Sequence, residues 1–164
     1  MDTTEERAGG RTVLTYGTFD LFHIGHLRLI ERLSQMGDRL VVGVSTDEFN
    51  AQKGKKSVVS YEDRAAIVSA IKGVDLVVPE ESWEQKEADV RKHGVSVFAI
   101  GDDWRGKFDH LEPLCEVVYL PRTQGVSSTE IKRLLRVLDP AHLDEIQDAV
   151  NILANLLTHY RDLT

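Results

Sequence analysis

Apolar residues along this chain fall into short unbroken runs, separated by stretches in which they recur every three or four positions. The runs cover residues 13–16, 40–45, 76–79, 95–100 and 117–120. Being continuous rather than alternating, they read as strands of a parallel sheet covered on both faces. Between them, Leu27, Ile30, Leu33 and Met36 mark a helix closed by Gly37. Ala65, Val68 and Ile71 share a face of a second helix over 61–71, and a third runs over 83–92 and stops before Gly94. Strands alternating with helices predict an open, doubly wound α/β sheet of about five parallel strands. Right-handed crossovers then bring the loops that follow the strands to one edge. Those loops hold residues 18–26, 46–56, 101–107 and 121–128, and every chemically suggestive segment of the chain lies in them.

The last periodic stretch is different. Asp139 and Pro140 have the character of an N-cap and a first helical position. Leu143, Ile146, Val150, Leu153, Leu157 and Tyr160 follow at spacings of three and four, a heptad-like stripe widened by Ala149, Ile152 and Leu156. Either this helix docks on its own domain or it joins two copies of the chain. The second is favoured, because so wide an apolar face should not stay in water. The expected organisation is a flexible segment over 1–11, one domain over 12–138 and an amphipathic C-terminal helix over 139–164.

A length of 164 residues, 41% hydrophobic and 29% charged, suits one domain with a real core. Cys115 is the single cysteine, which excludes an intramolecular disulfide framework and fits a reducing cytoplasm. Residues 1–11 are polar, unlike a signal peptide or membrane anchor, and no apolar run would span a bilayer. The net charge of −7 argues against a nucleic-acid partner and disfavours anionic substrates in general. A phosphate site here needs local cations. Lys53, Lys55, Lys56, Arg105, Lys107 and Arg122 supply them at the predicted edge.

The densest chemistry is His23-Ile24-Gly25-His26, where the first strand hands over to a helix, the part of an α/β unit that receives phosphates. The pair has no third ligand nearby, which disfavours a metal site. It either caps the helix or donates to a ligand, with Gly25 leaving room for close approach. A second motif, Arg122-Thr123-Gln124-Gly125-Val126-Ser127-Ser128-Thr129, leaves the last strand and enters a helix. Ser127 and Glu130 have capping-box spacing, and the same free N–H groups and hydroxyls suit a polyphosphate. Lys53-Gly54-Lys55-Lys56 is a solvated loop or one that closes over anionic reactants. Asp103, at a strand end, is placed to accept the amine of a base. On spacing alone, Trp83-Glu84-Gln85-Lys86 reads as a tryptophan packed on the sheet beside a surface lysine.

Taken together these segments resemble the cytidylyltransferases, within the superfamily marked by the H-x-G-H signature. The similarity rests on Thr15-Tyr16-Gly17-Thr18-Phe19-Asp20, the histidine pair, Ser45-Thr46-Asp47-Glu48-Phe49-Asn50, Ser60-Tyr61-Glu62 with Arg64, Trp83-Glu84-Gln85-Lys86, Gly101-Asp102-Asp103-Trp104 with Gly106-Lys107-Phe108-Asp109, and Cys115 to Thr123. It runs from about Thr12 to Leu135. The resemblance implies a Rossmann-like fold and a reaction in which the phosphate of sn-glycerol 3-phosphate attacks CTP, giving CDP-glycerol and pyrophosphate. It implies that His23 and His26 are catalytic. Thr18, Phe19, Gly25, Lys55, Asp103, Arg122, Thr123, Gln124, Gly125, Val126, Ser127, Ser128 and Thr129 would bind nucleotide. Lys53 and Lys86 would bind the acceptor. Magnesium would arrive on the triphosphate, with no metal ligands from the protein, and the enzyme would be a cytoplasmic homodimer. Lys72 stands where arginine is expected, keeping the charge but losing a bidentate fork. The alternatives are the same transfer to another phosphorylated polyol or amino alcohol, or a nucleotide sensor without catalysis.

Overall fold

A computed structural model describes residues 10–123, 127–137 and 140–161. By its internal contacts the chain forms two units, residues 1–126 and 127–164.

The first unit is a five-stranded sheet built from β1 (Thr12–Gly17), β2 (Arg39–Ser45), β3 (Leu76–Glu80), β4 (Val95–Gly101) and β5 (Glu116–Leu120). Every pairing is parallel, and the order is β3-β2-β1-β4-β5. The strands match the five apolar runs to within a residue at each end. Helices α1 (Ile24–Ser34), α3 (Tyr61–Ser69) and α4 (Gln85–Lys92) alternate with them. The loop expected over 46–56 contains a short additional helix, α2 (Asp47–Gln52), capped by Thr46, whose hydroxyl accepts from the Phe49 N–H at 3.2 Å. Helix α4 starts two residues later than its apolar pattern suggested, leaving Trp83 in the preceding loop. It ends at Gly94, whose φ of +58° is the left-handed conformation that glycine adopts freely.

Both sheet faces are buried, as continuous apolar strands require. On one, Val13, Leu40, Val42, Val44, Val97 and Ala99 meet Ile30 and Leu33 of α1 and Val68 of α3. On the other, Leu14, Val41, Phe98 and Ile100 meet Val90 of α4 and the segment carrying Phe108 and Leu111. The connections diverge between β1 and β4, so a crevice opens at the carboxyl ends of these neighbouring strands. Gly43 lies opposite Tyr16 in the sheet, and a Cβ there would stand 2.1 Å from the tyrosine ring. Its missing side chain is what lets Tyr16 lie across β2.

The second unit comprises α5 (Ser128–Val137) and α6 (Pro140–Arg161). Ser127 caps α5, its hydroxyl accepting from the Glu130 N–H at 3.1 Å, so the predicted cap is present. On α6, Leu143, Ile146, Val150, Ile152 and Leu153 are exposed. Asp139, the expected cap of that helix, and all but the last two residues of the 1–11 segment lie outside the described residues.

Candidate active site at the carboxyl edge of the sheet

The loop after β1 is held in an unusual shape. Phe19 and Leu21 adopt φ of 53° and 50°, each at a cost of about 1–3 kcal/mol for a residue with a side chain. The buried Asp20 carboxylate offsets this by accepting from the N–H groups of Leu21 (3.1 Å), Val58 (2.8 Å) and Val59 (2.9 Å). It thereby ties the histidine loop to the far end of the lysine loop. Gly17 is required for the same shape, since a Cβ there would meet the Phe19 ring at 2.8 Å.

His23 and His26 do cap α1, and the manner of capping fixes their chemistry. His23 Nδ1 accepts from the Gly25 N–H at 3.0 Å, and His26 Nδ1 accepts from the His23 N–H at 3.3 Å. The pair thus forms a capping box in which imidazoles take the positions usual for serine and glutamate. With both Nδ1 atoms accepting, a neutral ring carries its proton on Nε2. Burial lowers both pKa values, that of His26 to about 4 with a further contribution from His23. The rings stack at 3.9 Å between centroids, and His26 also packs against Phe19 and Phe22. Near neutral pH the site therefore offers two neutral Nε2–H donors. The capping contacts are present, and because they use Nδ1 they leave the donor reading compatible with them.

Beside this loop a pocket is lined by Tyr16, Gly17, Thr18, Ser45, Lys53, Lys55, Glu80, Trp83, Ile100, Trp104 and Phe108. It gathers three of the residues expected from sequence, Thr18, Lys53 and Lys55, from segments up to 37 positions apart. Thr18 is fixed by donating to Asn50 Oδ1 at 3.2 Å. Lys53 donates to the Ser45 hydroxyl at 3.0 Å and lies 4.2 Å from the centroid of the Phe49 ring. Phe19 is buried beneath the histidines and outside this lining.

Lys86 departs from the surface lysine that spacing suggested: it is 1% exposed. Its ammonium pairs with Glu80, donates to the Ser82 carbonyl at 2.9 Å, and sits 4.7 Å and 4.8 Å from the Tyr16 and Trp83 ring centroids. Burial lowers its pKa, and the Glu80 hydrogen bond and charge oppose that shift. Pairing and the aromatic faces together keep a cation tolerable in this setting.

Arg122 and Asp103, read separately in the sequence, form an ion pair at 2.6 Å between two well-exposed side chains. Such a pair is weak in water, so either partner is available to a ligand. Thr123 follows Arg122 and is half-buried, while Gln124, Gly125 and Val126 lie outside the described residues. Ser127, Ser128 and Thr129 open the second unit as the cap and first turn of α5. Lys72 is exposed.

Three residues that carry the site received no role from sequence reasoning. Asp20 and Glu80 are two. The third is Arg64, buried on α3, which donates to the carbonyls of Thr18 (2.6 Å), Ser45 (2.8 Å) and Val59 (2.9 Å) and to Asp47 (2.6 Å). The one local signal was its position four residues before Val68, on the face of α3 that is buried.

Comparison with known proteins bears directly on this edge. The model of the family described as cytidylyltransferase-like matches residues 14–134. The glycerol-3-phosphate cytidylyltransferase of Bacillus subtilis is 59% identical over 122 residues, 74% of this chain and 95% of that protein. The enzyme of the same name from Staphylococcus aureus is 54% identical over 125 residues, 76% of this chain and 95% of that protein. The ethanolamine-phosphate cytidylyltransferase of Mus musculus is 32% identical over 133 residues, 77% of this chain and 33% of that protein. The crystal structure of a lipopolysaccharide core biosynthesis protein from Thermoplasma volcanium shares the fold, with a TM-score of 0.62 at 24% identity over 71% of this chain and 100% of that chain.

Proposed function

The chain belongs to the cytidylyltransferase-like family, and from that premise we propose that it transfers the cytidylyl group of CTP to sn-glycerol 3-phosphate, giving CDP-glycerol and pyrophosphate. An oxygen of the acceptor phosphate attacks the α-phosphorus of CTP. The bond from that phosphorus to the bridging oxygen breaks, and pyrophosphate leaves with the bond electrons. No covalent enzyme intermediate is needed, so the protein's task is positioning and charge stabilisation.

The observation that carries this reading is the pairing of two neutral Nε2–H donors with a lysine-lined pocket on one sheet edge. His23 and His26 donate to phosphate oxygens as charge builds on them. Lys55 and Arg122 neutralise the triphosphate, Lys53 receives the acceptor phosphate from the pocket wall, and the buried Lys86 adds its charge from behind Glu80. Magnesium would be carried by the triphosphate oxygens and would neutralise part of their charge, while Asp20 and Glu80 are engaged by amides and lysines. Cys115 is a free thiol, as suits the cytoplasm.

Pyrophosphate release with CTP or ATP against a panel of phosphorylated acceptors tests the reaction. Release is expected with CTP and sn-glycerol 3-phosphate. A preference for phosphoethanolamine or another phosphorylated polyol would move the assignment to the alternative acceptors, and silence with every pair would leave a nucleotide sensor.

We also propose that the enzyme is a homodimer to which α6 contributes, because its exposed Leu143, Ile146, Val150 and Leu153 repeat at coiled-coil spacing. Ile146→Lys combined with Val150→Lys is expected to reduce the mass seen by light scattering from two chains to one. An unchanged mass would return α6 to a role within its own chain.

A further inference from the structure

Lys86 is too deeply buried to line the pocket; the side chain that does so in front of it is Glu80, itself 3% exposed. Glu80 ends β3 and divides its carboxylate between two lysines. Oε1 pairs with Lys86, while Oε2 accepts from the Ser45 hydroxyl and lies 3.5 Å from Lys53. An acidic group in a pocket meant for a phosphate is at first sight a liability, since it repels the ligand. Its partners give the reason for it. Two ammonium groups this close, under Phe49, Trp83 and Tyr16, repel each other and lose hydration. Without an anion between them, both would hold their protons less firmly, since burial already lowers the two pKa values and the Glu80 charge opposes that shift. With Glu80 present these three groups hold two positive charges and one negative, and Lys55 adds a further positive charge at the pocket.

We propose that Glu80 is a positioning residue for the acceptor phosphate: it keeps the Lys53–Lys86 pair charged and aligned in the free enzyme. The inference rests on the glycerol phosphate reading above. Lys86 meets Glu80 from β3, Lys53 from the end of α2, the Tyr16 ring from β1, and Glu84 and Asp89 from its own segment. Asp89 is shared, accepting from the Tyr16 hydroxyl at 2.6 Å and from Gln85 at 2.8 Å. Glu80 is thus the one of these groups that joins the two lysines.

Glu80→Gln keeps the shape and removes the charge. It is expected to raise the KM for sn-glycerol 3-phosphate about tenfold, while the KM for CTP and kcat stay within about twofold. The alkaline limb of kcat/KM for the acceptor should move to lower pH, because the lysines now lose their protons sooner. Glu80→Asp keeps the charge with a shorter reach, and should raise the acceptor KM without moving that limb. A fall in the acceptor KM in Glu80→Gln would make Glu80 a competitor for the phosphate position and overturn the proposal. So would an unmoved limb in Glu80→Gln, or a limb displaced equally in both variants. If Glu80→Gln fails to fold, Glu80→Asp decides alone, and an unchanged acceptor KM overturns the proposal. Failure of the wild-type enzyme to use sn-glycerol 3-phosphate would instead bring down the functional reading.

Discussion

Replacing His26 with alanine is expected to lower kcat about a hundredfold, equivalent to about 3 kcal/mol of transition-state stabilisation. The loss falls on turnover because the missing Nε2–H matters most when charge develops on the reacting phosphate. The same change also touches the fold. Alanine removes the acceptor for the His23 N–H and the ring packed on Phe19 and Phe22, and a lost cap alone costs about 1 kcal/mol. His26→Gln separates the two effects, since glutamine is a natural acceptor at that position of a capping box. It should recover most of the urea midpoint and little of the rate. A folded His26→Gln or His26→Ala enzyme turning over near the wild-type rate would remove His26 from the mechanism.

The pH dependence of stability provides a second reading of the same residue. An unfolded histidine takes up its proton near pH 6.5, whereas folded His26 resists until about pH 4. Between these values the unfolded chain binds more protons, so stability falls as pH drops from about 6.5 through about 4. His26→Gln should flatten that slope. His23, whose pKa is lowered in the same direction, leaves part of it in place.

The second large effect is on stability. Arg64→Ala is expected to cost about 3–5 kcal/mol, the usual result of taking one member from a buried, hydrogen-bonded ionic group. Against a typical total of about 5–15 kcal/mol this is roughly a fifth or more of the folding free energy. The Asp47 partner is partly exposed and contributes little of it. The cost comes from the carbonyls of Thr18, Ser45 and Val59, which lose their shared donor, the Ser45 bond being buried and the other two partly so. Arg64→Lys keeps the charge but cannot fork to three carbonyls and should recover less than half of the loss. Because those carbonyls belong to the loops carrying Thr18 and the lysines, surviving variants should also show a raised KM for both substrates. A urea-derived loss below about 1 kcal/mol for Arg64→Ala would show that the carbonyls find other donors.

Much of this architecture is local in origin. Each strand is an apolar run whose residues are buried on alternate faces, and helices α3 and α4 are each followed by a left-handed glycine, Gly73 at φ +94° and Gly94 at φ +58°. The histidine pair, the lysine loop and the capped turn at Ser127 were likewise legible, because a motif at a strand-to-helix junction is a matter of adjacent residues. α2 was not, since six residues with a hydroxyl cap carry too little periodicity to stand out from a loop.

By itself the sequence determined the five parallel strands, the edge at which their loops meet and the residue types brought there. Short-range periodicity and turn chemistry suffice for that. Only the tertiary structure decided what those residues are in physical terms. It buried Lys86 behind Glu80, gave Arg64 three carbonyls from three segments, and turned His23 and His26 into neutral Nε2–H donors. Charge state and burial depend on which distant segments exclude water from a side chain, and no spacing within one segment records that.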